Sequence, residues 1–415
     1  MKKLRILVIS AQFPPDHSGG YELRIKDIMD GLAARGHEIC VLTTKYRKKR
    51  RKDDPEPPYT VIRKLHNRYS AKFFPKEVLF DLLDTAAVER QIQGFHPDVI
   101  YLGHIYVLSK AILPYLAKVD QPITLDEGGA TLKGAWTEQG RWFHFTGDYG
   151  EQNRFIRMIK PFIVKMINKL SRDRIPNEWL WPENMRIIIN SQHNLDRLWE
   201  LGIPMENAAV IHSGIDLGKF TFTPRRALIE PITIFCPGRL EMRKGMIDGV
   251  HLLKHLLNAG IDSSLSFAGA VGSSELLRKL NEEIHSAGLE SKVAFYGMLS
   301  QEQLIGLFHQ FDICFFPSHH NTGFSRTPLE AMACGCVVIS YGNEGSAEVV
   351  EHGKNGFLIQ EGDIAGAAGV VRELIEDPEQ MARMRENARR LVEKNHSLHF
   401  YIGRVEQVLR DVIDH

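Results

Sequence analysis

Short apolar runs alternate with segments of helical periodicity along almost the whole chain, and this alternation constrains the fold more than any other feature. The runs in the first half are Arg5–Ala11, Ile39–Thr43, Val99–Leu102, Ile123–Leu125, Arg186–Ile189 and Ala208–Ile211. The runs in the second half are Ile232–Cys236, Leu265–Ala268, Val293–Phe295, Ile313–Phe316 and Val337–Ser340. Continuous apolar strands that are joined by helices are typical of a parallel sheet buried on both faces.

The alternation runs through both halves of the chain and therefore predicts two doubly wound, Rossmann-like α/β domains. A chain of 415 residues is long enough for two cores. Glycine and proline interrupt both periodicities near residues 213–224, so we predict an N-terminal domain at 1–214 and a C-terminal domain at 215–397. Residues 127–184, rich in aromatic and basic side chains, form a predicted insertion in the first domain, and residues 398–415 form a last helix. Ligands of such folds bind at the carboxyl ends of the strands, and here we expect them between the domains.

The composition excludes several classes of protein. With 43% hydrophobic and 25% charged residues and a net charge of +1, the chain is typical of a soluble globular protein and has no overall field that attracts nucleic acid. No apolar window is long enough to span a membrane, and the apolar run at the N-terminus is better explained as a first strand than as a signal peptide. The five cysteines are an odd number without zinc-site spacing, which favours a reducing, cytoplasmic compartment.

A loop bounded by glycines, Gly238 and Gly245, follows the first strand of the second half. Arg239 and Lys244 on this loop could hold a pyrophosphate, the arginine as a bidentate fork and the lysine as a mobile point charge. The alternative is that both are solvated loop cations.

A second loop follows the strand Ile313–Phe316 and leads into a helix. Its backbone N–H groups would face a phosphate at the positive end of that helix, and Glu330, about one turn in, could accept hydrogen bonds from the hydroxyls of a ribose. The other candidate donor-binding residues on this loop are Thr322, Gly323, Phe324, Ser325, Arg326, Thr327 and Leu329. A third segment, Gly345–Val350, is either a ligand contact or a simple helix cap followed by a turn.

Taken in order, these loops, the tail from Glu348 to Leu358 and the phrase from Val210 to Phe220 resemble glycosyltransferase family 4, the glycosyl transferases group 1. The resemblance covers most of the chain and is weak over residues 127–184. It implies a GT-B fold, metal-independent transfer with retention of configuration, a nucleoside-diphosphate sugar as donor and no cofactor. It also implies that the last helix crosses back to the N-terminal domain.

The resemblance assigns roles to individual positions. Arg239 and Lys244 would neutralise the diphosphate as it leaves, and Glu330 would bind the ribose. Gly19 and Gly20 resemble the family's N-terminal loop, whose backbone N–H groups approach the donor phosphate. In the family, a first glutamate that normally contacts the donor sugar stands eight residues before the one matched by Glu330. This chain has Thr322 at that position, so the resemblance leaves the identity of the sugar open.

Another departure lies at the end of the strand Ile123–Leu125, where the family often has a histidine. This chain has Asp126 and Glu127, which could orient the acceptor hydroxyl or stabilise positive charge at the anomeric carbon. Capping of the following loop is the alternative for both. His104, after the strand Val99–Leu102, is a further candidate for the acceptor side.

Two basic segments stand out in the first half. Residues 45–52, on the loop after the second strand, include Lys48, Lys49, Arg50 and Arg51, which are candidates for the acceptor or membrane side, with a solvated loop as the alternative. Residues 154–174 alternate apolar side chains with bases, among them Arg157, Lys160 and Lys165, as amphipathic helices at an anionic membrane surface do. Pro161 is expected to kink or divide that helix, and ordinary packing on the domain is the alternative.

The sequence thus predicts a retaining hexosyltransferase that moves a sugar from a UDP- or GDP-sugar to a glycan or lipid-linked acceptor. We expect it to act at the cytoplasmic face of the membrane, in the synthesis of a cell-surface polysaccharide or glycolipid. One alternative is a binding or scaffold protein that lost catalysis, which is suggested by Thr322 at the position of the family's glutamate. The other is a soluble enzyme of the same fold, such as a nucleotide-sugar epimerase or sugar-phosphate synthase. A Rossmann dehydrogenase is disfavoured because no G-x-G-x-x-G follows the first strand.

Overall fold

The computed structural model describes residues 2–16, 20–45, 57–68, 74–128, 131–137, 140–147, 154–224, 227–319, 324–342 and 345–414. The chain divides into two compact units. Unit 1 comprises Met1–Ile189, Leu195–Ile211 and Ile402–His415, and unit 2 comprises Asn190–Asn194 and His212–Tyr401.

Each unit is built on a parallel sheet. In the described part of unit 1 the strands are β1 Arg5–Ser10, β2 Glu38–Thr44, β3 Thr60–Leu65, β4 Val99–Leu102, β5 Ile123–Glu127, β6 Met185–Ile189 and β7 Ala208–Val210. Those of unit 2 are β8 Ile232–Pro237, β9 Ser263–Ala268, β10 Val293–Phe295, β11 Ile313–Phe316, β12 Val337–Tyr341 and β13 Phe357–Ile359. The sheet orders are β3-β2-β1-β4-β5-β6-β7 and β10-β9-β8-β11-β12-β13. The predicted fold class, α/β with two Rossmann-like doubly wound sheets, is confirmed.

Helices connect the strands, as a parallel sheet requires. Those that begin in the first half of the chain are α1 Gly20–Ala34, α2 Phe74–Phe95, α3 Ile112–Leu116, α4 Thr131–Thr137, α5 Arg141–Thr146, α6 Arg154–Ser171 and α7 Gln192–Glu200. Those in the second half are α8 Met246–Asn258, α9 Ser274–Ser286, α10 Gln301–Phe308, α11 Thr327–Cys334, α12 Ile364–Glu376, α13 Pro378–Asn395 and α14 Leu398–Asp414. Several begin at side-chain caps. At the start of α10, Ser300 Oγ accepts the N–H of Gln303, and the side chain of Gln303 accepts the N–H of Ser300.

The central strands are buried on both faces because helices cover both sides of each sheet. All four residues of β4 and all four of β11 are buried, as are the five of β12. All five cysteines are buried as free thiols, which fits their expected role as small hydrophobic side chains.

Two strands, β3 and β13, were not predicted from the sequence. In β3 the side chains of Arg63 and Lys64 interrupt the apolar pattern, since this edge strand is only partly buried. Strand β13 has three residues at an edge of the other sheet and follows Gly353 and Gly356, whose spacing favours a turn over a strand.

Of the two effects predicted for Pro161, a kink or a division of the helix, division is wrong, because α6 continues through Pro161. A proline removes the hydrogen bond to the carbonyl four residues earlier, here that of Arg157. Both residues are exposed, so water can satisfy this carbonyl.

The end of α14 is bound into unit 1 by the buried carboxylate of Glu406. Arg35 Nη1 donates to Glu406 Oε2 at 2.8 Å, and Arg410 Nη2 donates to Oε1 at 2.7 Å. The Nδ1 atom of His37 accepts the N–H of Leu4, which leaves its Nε2, 3.2 Å from Glu406 Oε1, as the donor. Burial raises the pKa of Glu406, but these three donors outweigh it and lower the pKa to about 2.

We therefore expect Glu406→Gln to lower the free energy of unfolding by about 2 kcal/mol at pH 7. The ordinary pKa of a glutamate is 4.5, so the stabilisation is fully present above that pH and is lost as the pH falls towards 2. Urea denaturation of both proteins at several pH values measures this, with Glu386→Gln as the control because its partner Arg390 is exposed. If the free energy of unfolding differs between the parent protein and Glu406→Gln by the same amount at pH 7 and at pH 3, Glu406 does not have the lowered pKa.

Candidate functional site

The strand order of the second sheet reverses between β8 and β11, which are neighbours in the sheet although two strands separate them in the sequence. Open α/β sheets bind ligands beyond the carboxyl ends of the strands at such a reversal. The segments that leave these two ends are the Gly238–Gly245 loop and the stretch from Pro317 to α11. They contain the donor-binding residues that the sequence predicts in the second half of the chain.

Backbone contacts hold the two segments together. Gly245 has a φ of 63°, and a Cβ there would lie 1.9 Å from the carbonyl oxygen of Pro317. The N–H of His319 donates to the carbonyl of Arg243 at 2.8 Å. Only glycine allows both this conformation and this approach, so Gly245 fixes the position of Lys244 beside β11.

Both predicted phosphate-binding cations lie at this edge. Lys244 Nζ donates to Ser318 Oγ at 3.4 Å and stands 5.2 Å from the centre of the Phe316 ring. Arg239 Nη2 lies 3.0 Å from Glu241 Oε1, and its side chain is 58% exposed. An anion can therefore reach Arg239 from solvent, but it has to compete with Glu241.

Glu241 is a partner that the sequence analysis did not identify. Its Oε2 accepts from Arg243 Nε at 2.7 Å. Burial raises the pKa of Glu241, but the nearby charges of Arg243, Arg239 and Lys244 outweigh it and hold the pKa below its usual value. The ionised carboxylate orients the arginines of the loop.

Helix α11 begins at Thr327 and is anchored by its apolar side. Leu329 is fully buried in the core, so this predicted donor-binding residue can offer a ligand only its backbone. Ser325 Oγ accepts the N–H of Thr327 at 3.3 Å. Glu330 lies 3.6 Å from Arg326, and both side chains are largely buried, so a ribose hydroxyl would share Glu330 with Arg326. Thr322 and Gly323 lie outside the described residues.

Phe324 is also packed rather than open to a ligand. Its ring stacks on that of His212 with the centres 5.1 Å apart, and His212 Nε2 lies 2.7 Å from Glu348 Oε2. Glu348 accepts the N–H groups of Gln192 and His193 as well. Burial raises the pKa of Glu348, but these hydrogen bonds outweigh it and lower the pKa. These N–H groups begin α7, so Glu348 caps that helix, whereas the cap that the sequence left as an alternative belonged to a helix beginning at Gly345–Val350.

His319 is a second residue that the sequence analysis missed. Its Nδ1 lies 2.6 Å from Glu361 Oε1, and its Nε2 lies 3.5 Å from Asp248 Oδ2, which also accepts from the hydroxyl of Tyr341. These contacts tie the end of β11 to the start of α8. No local pattern could have revealed them, because the partners come from separate parts of the sequence.

In unit 1, Asp126 is completely buried at the end of β5. Its carboxylate accepts hydrogen bonds from the buried guanidinium of Arg24 and from the hydroxyl of Tyr101, and its carbonyl accepts from Tyr21. Glu127 is buried too and accepts the N–H of Leu132 at 2.7 Å, which is the loop-capping contact that the sequence left as the alternative. The pairing of Asp126 with Arg24 is a structural contact that its sequence context did not indicate.

His104 and Gly20 follow β4 and β1, the two strands between which the order of the first sheet reverses. His104 Nδ1 lies 3.5 Å from the buried carboxylate of Glu22, and its ring meets that of Tyr21 edge-on. Gly20 is exposed at the start of α1 and has open space around its Cα. Gly19 lies outside the described residues.

Among the basic candidates, Arg157 and Lys165 are exposed on α6, and Lys160 donates to the carbonyl of Gly147 at 3.1 Å. Lys48, Lys49, Arg50 and Arg51 lie outside the described residues. Within the described ranges, no three His, Cys, Asp or Glu side chains gather as a potential metal site. No described helix combines the length and the apolar character that crossing a bilayer requires.

Comparison with known protein families gives two matches, one in each unit. The family described as "Glycosyl transferases group 1" matches residues 222–391, and "Glycosyltransferase Family 4" matches residues 18–125.

Individual proteins are similar over different lengths. Glycogen synthase of Mycobacterium tuberculosis is 25% identical over 401 residues, which are 93% of this chain and 89% of that protein. The putative colanic acid biosynthesis glycosyltransferase WcaL of Escherichia coli (strain K12) is 28% identical over 203 residues, 48% of this chain and 49% of that protein. The crystal structure of Anabaena Alr3699/HepE in complex with UDP-glucose superposes with a TM-score of 0.69 at 18% identity, over 98% of this chain and 100% of that one.

Proposed function

Because the chain belongs to the glycosyl transferases group 1, we propose that it is a retaining glycosyltransferase whose donor is a UDP- or GDP-sugar. The acceptor is a glycan or lipid-linked sugar at the cytoplasmic face of the membrane, in the synthesis of a cell-surface polysaccharide or glycolipid. The observation that carries the proposal is the pair of cations, Arg239 and Lys244, at the carboxyl ends of β8 and β11, where the strand order reverses.

The chemistry follows from the charges at this edge. Transfer breaks the bond between the anomeric carbon and the β-phosphate oxygen and forms a bond from the acceptor oxygen to that carbon. The acceptor's proton passes to the departing diphosphate or to a nearby base. Negative charge grows on the diphosphate as the bond breaks, so fixed cations beside it lower the barrier. Arg239 and Lys244 supply this charge, and the N–H groups at the start of α11 add to it.

No metal or cofactor is needed in this proposal, since the two side chains provide the positive charge that a divalent ion would otherwise supply. Glu330 is the residue assigned to the ribose. The uridine nucleotide is favoured by the shared fold of the Anabaena protein that binds UDP-glucose, and a polysaccharide product by the similarity to the Escherichia coli protein.

A screen of nucleoside-diphosphate sugars, with EDTA present, tests the proposal. We expect one UDP- or GDP-sugar to raise the unfolding temperature of the protein and to release its nucleoside diphosphate when a membrane extract supplies acceptors. NMR of the product should show the same anomeric configuration as the donor. Binding of a donor without turnover under all conditions would instead indicate the scaffold protein, and an inverted product would exclude retention.

A further inference from the structure

Helix α6 has two apolar sides, and only one of them is packed. Ile163, Val164 and Ile167 face the interior of unit 1, where they join a cluster with Val78 and Trp142. The packing that the sequence left as an alternative is therefore present, but it uses only this side of the helix.

The other apolar side is exposed. Its side chains occur at every fourth residue, so they follow one another on successive turns in a single stripe. They are Met158, Phe162, Met166 and Leu170, with 71%, 74%, 45% and 59% of their surface exposed. Large apolar side chains this exposed are individually common, but a stripe of four along one helix marks an interaction surface.

The charges beside the stripe indicate what covers it. Residues 154–171 include no acidic side chain, and Arg157, Lys165 and Lys169 are exposed. Arg172, directly after the helix, is exposed as well. A helix with this arrangement lies in the plane of a bilayer, with its apolar side at the acyl boundary and its bases at anionic phosphates.

Helix α2, which packs against α6, exposes two further large apolar side chains four residues apart, Leu79 and Leu83. At about 1.5 Å per residue, the 18 residues of α6 extend over about 27 Å. The surface is thus long enough to contact several lipid headgroups.

We propose that the exposed stripe of α6 and the bases beside it are the surface by which the protein binds an anionic bilayer, with α6 parallel to the membrane plane. The inference rests on the proposed function in that a lipid-linked acceptor requires the enzyme to work at a bilayer. The binding itself needs neither donor nor turnover, so it can fail or succeed independently of the proposed reaction.

Flotation of the full chain with vesicles tests this. We expect binding to vesicles of phosphatidylcholine and phosphatidylglycerol, weak binding to phosphatidylcholine alone, and loss of binding at high salt. Phe162→Glu should weaken partitioning at least about tenfold, and Lys165→Glu less strongly. Ile229→Glu, at a side chain of unit 2 that is 77% exposed, is the matched control and should leave binding unchanged.

Since Phe162 is exposed, the unfolding temperature of Phe162→Glu should equal that of the parent protein, and release of nucleoside diphosphate with a water-soluble acceptor should be retained. Equal flotation of the parent and Phe162→Glu would overturn the proposal, as would equal binding to both kinds of vesicle. A dimer in solution that Phe162→Glu dissociates, without vesicle binding by the parent, would assign the stripe to a second copy of the chain instead.

Discussion

Lys244→Ala is expected to lower kcat for sugar transfer about 10²–10³-fold, the loss that follows removal of one fixed donor to a developing anion. The side chain lies at the end of β11, where its Nζ donates to Ser318 Oγ. Its charge acts on the diphosphate mainly as the bond to the sugar breaks, so kcat should fall more than the donor KM rises. Steady-state kinetics with the donor found in the screen measures both.

Arg243→Ala is the matched control, because Arg243 is a neighbouring cation that pairs with Glu241 as Arg239 does but has no predicted contact with the diphosphate. We expect it to change kcat less than about threefold, as loss of an exposed ion pair does. Arg239→Ala should resemble Lys244→Ala. Equal effects of the Arg243 and Lys244 variants would indicate that only the overall charge of the loop matters.

Asp126→Ala is expected to lower the free energy of unfolding by about 3–5 kcal/mol, since it leaves the guanidinium of Arg24 buried without its carboxylate. Arg24 and Asp126 are 5% and 0% exposed, so water cannot replace the lost partner. Asp126→Asn should cost less, because the amide oxygen still accepts one hydrogen bond. Urea denaturation measures these differences.

Tyr101→Phe separates the two partners of the Asp126 carboxylate. It removes a single hydrogen bond to the carboxylate and should cost about 1 kcal/mol. If Asp126→Ala keeps the stability of the parent protein and loses only kcat, Asp126 is a catalytic carboxylate and the structural assignment is wrong.

The central strands could be predicted because their environment is simple. Runs such as Ile313–Phe316 and Val337–Ser340 are apolar except for Ser340, since both faces of the strand are buried. The two edge strands that were not predicted are β3, which carries Arg63 and Lys64 on a partly exposed surface, and β13, which directly follows a glycine-rich turn. The edge strands β7 and β10 were predicted, because their short runs are apolar throughout.

In the candidate site, too, only some features could be predicted. The positions of Arg239 and Lys244 could be predicted because a glycine-bounded loop after a strand places its residues at the carboxyl edge of the sheet. The partners of such residues could not be predicted. Glu241 beside Arg239, Arg24 beside Asp126 and the carboxylates around His319 are set by tertiary packing, which has no period in the sequence.

A crystal structure of the protein with UDP-glucose, or with whichever nucleotide sugar the screen identifies, tests the central claim most directly. We predict the diphosphate within hydrogen-bond distance of Arg239 and Lys244, at the carboxyl ends of β8 and β11, with Glu330 on the ribose. A nucleotide bound with its diphosphate away from both cations would contradict the account.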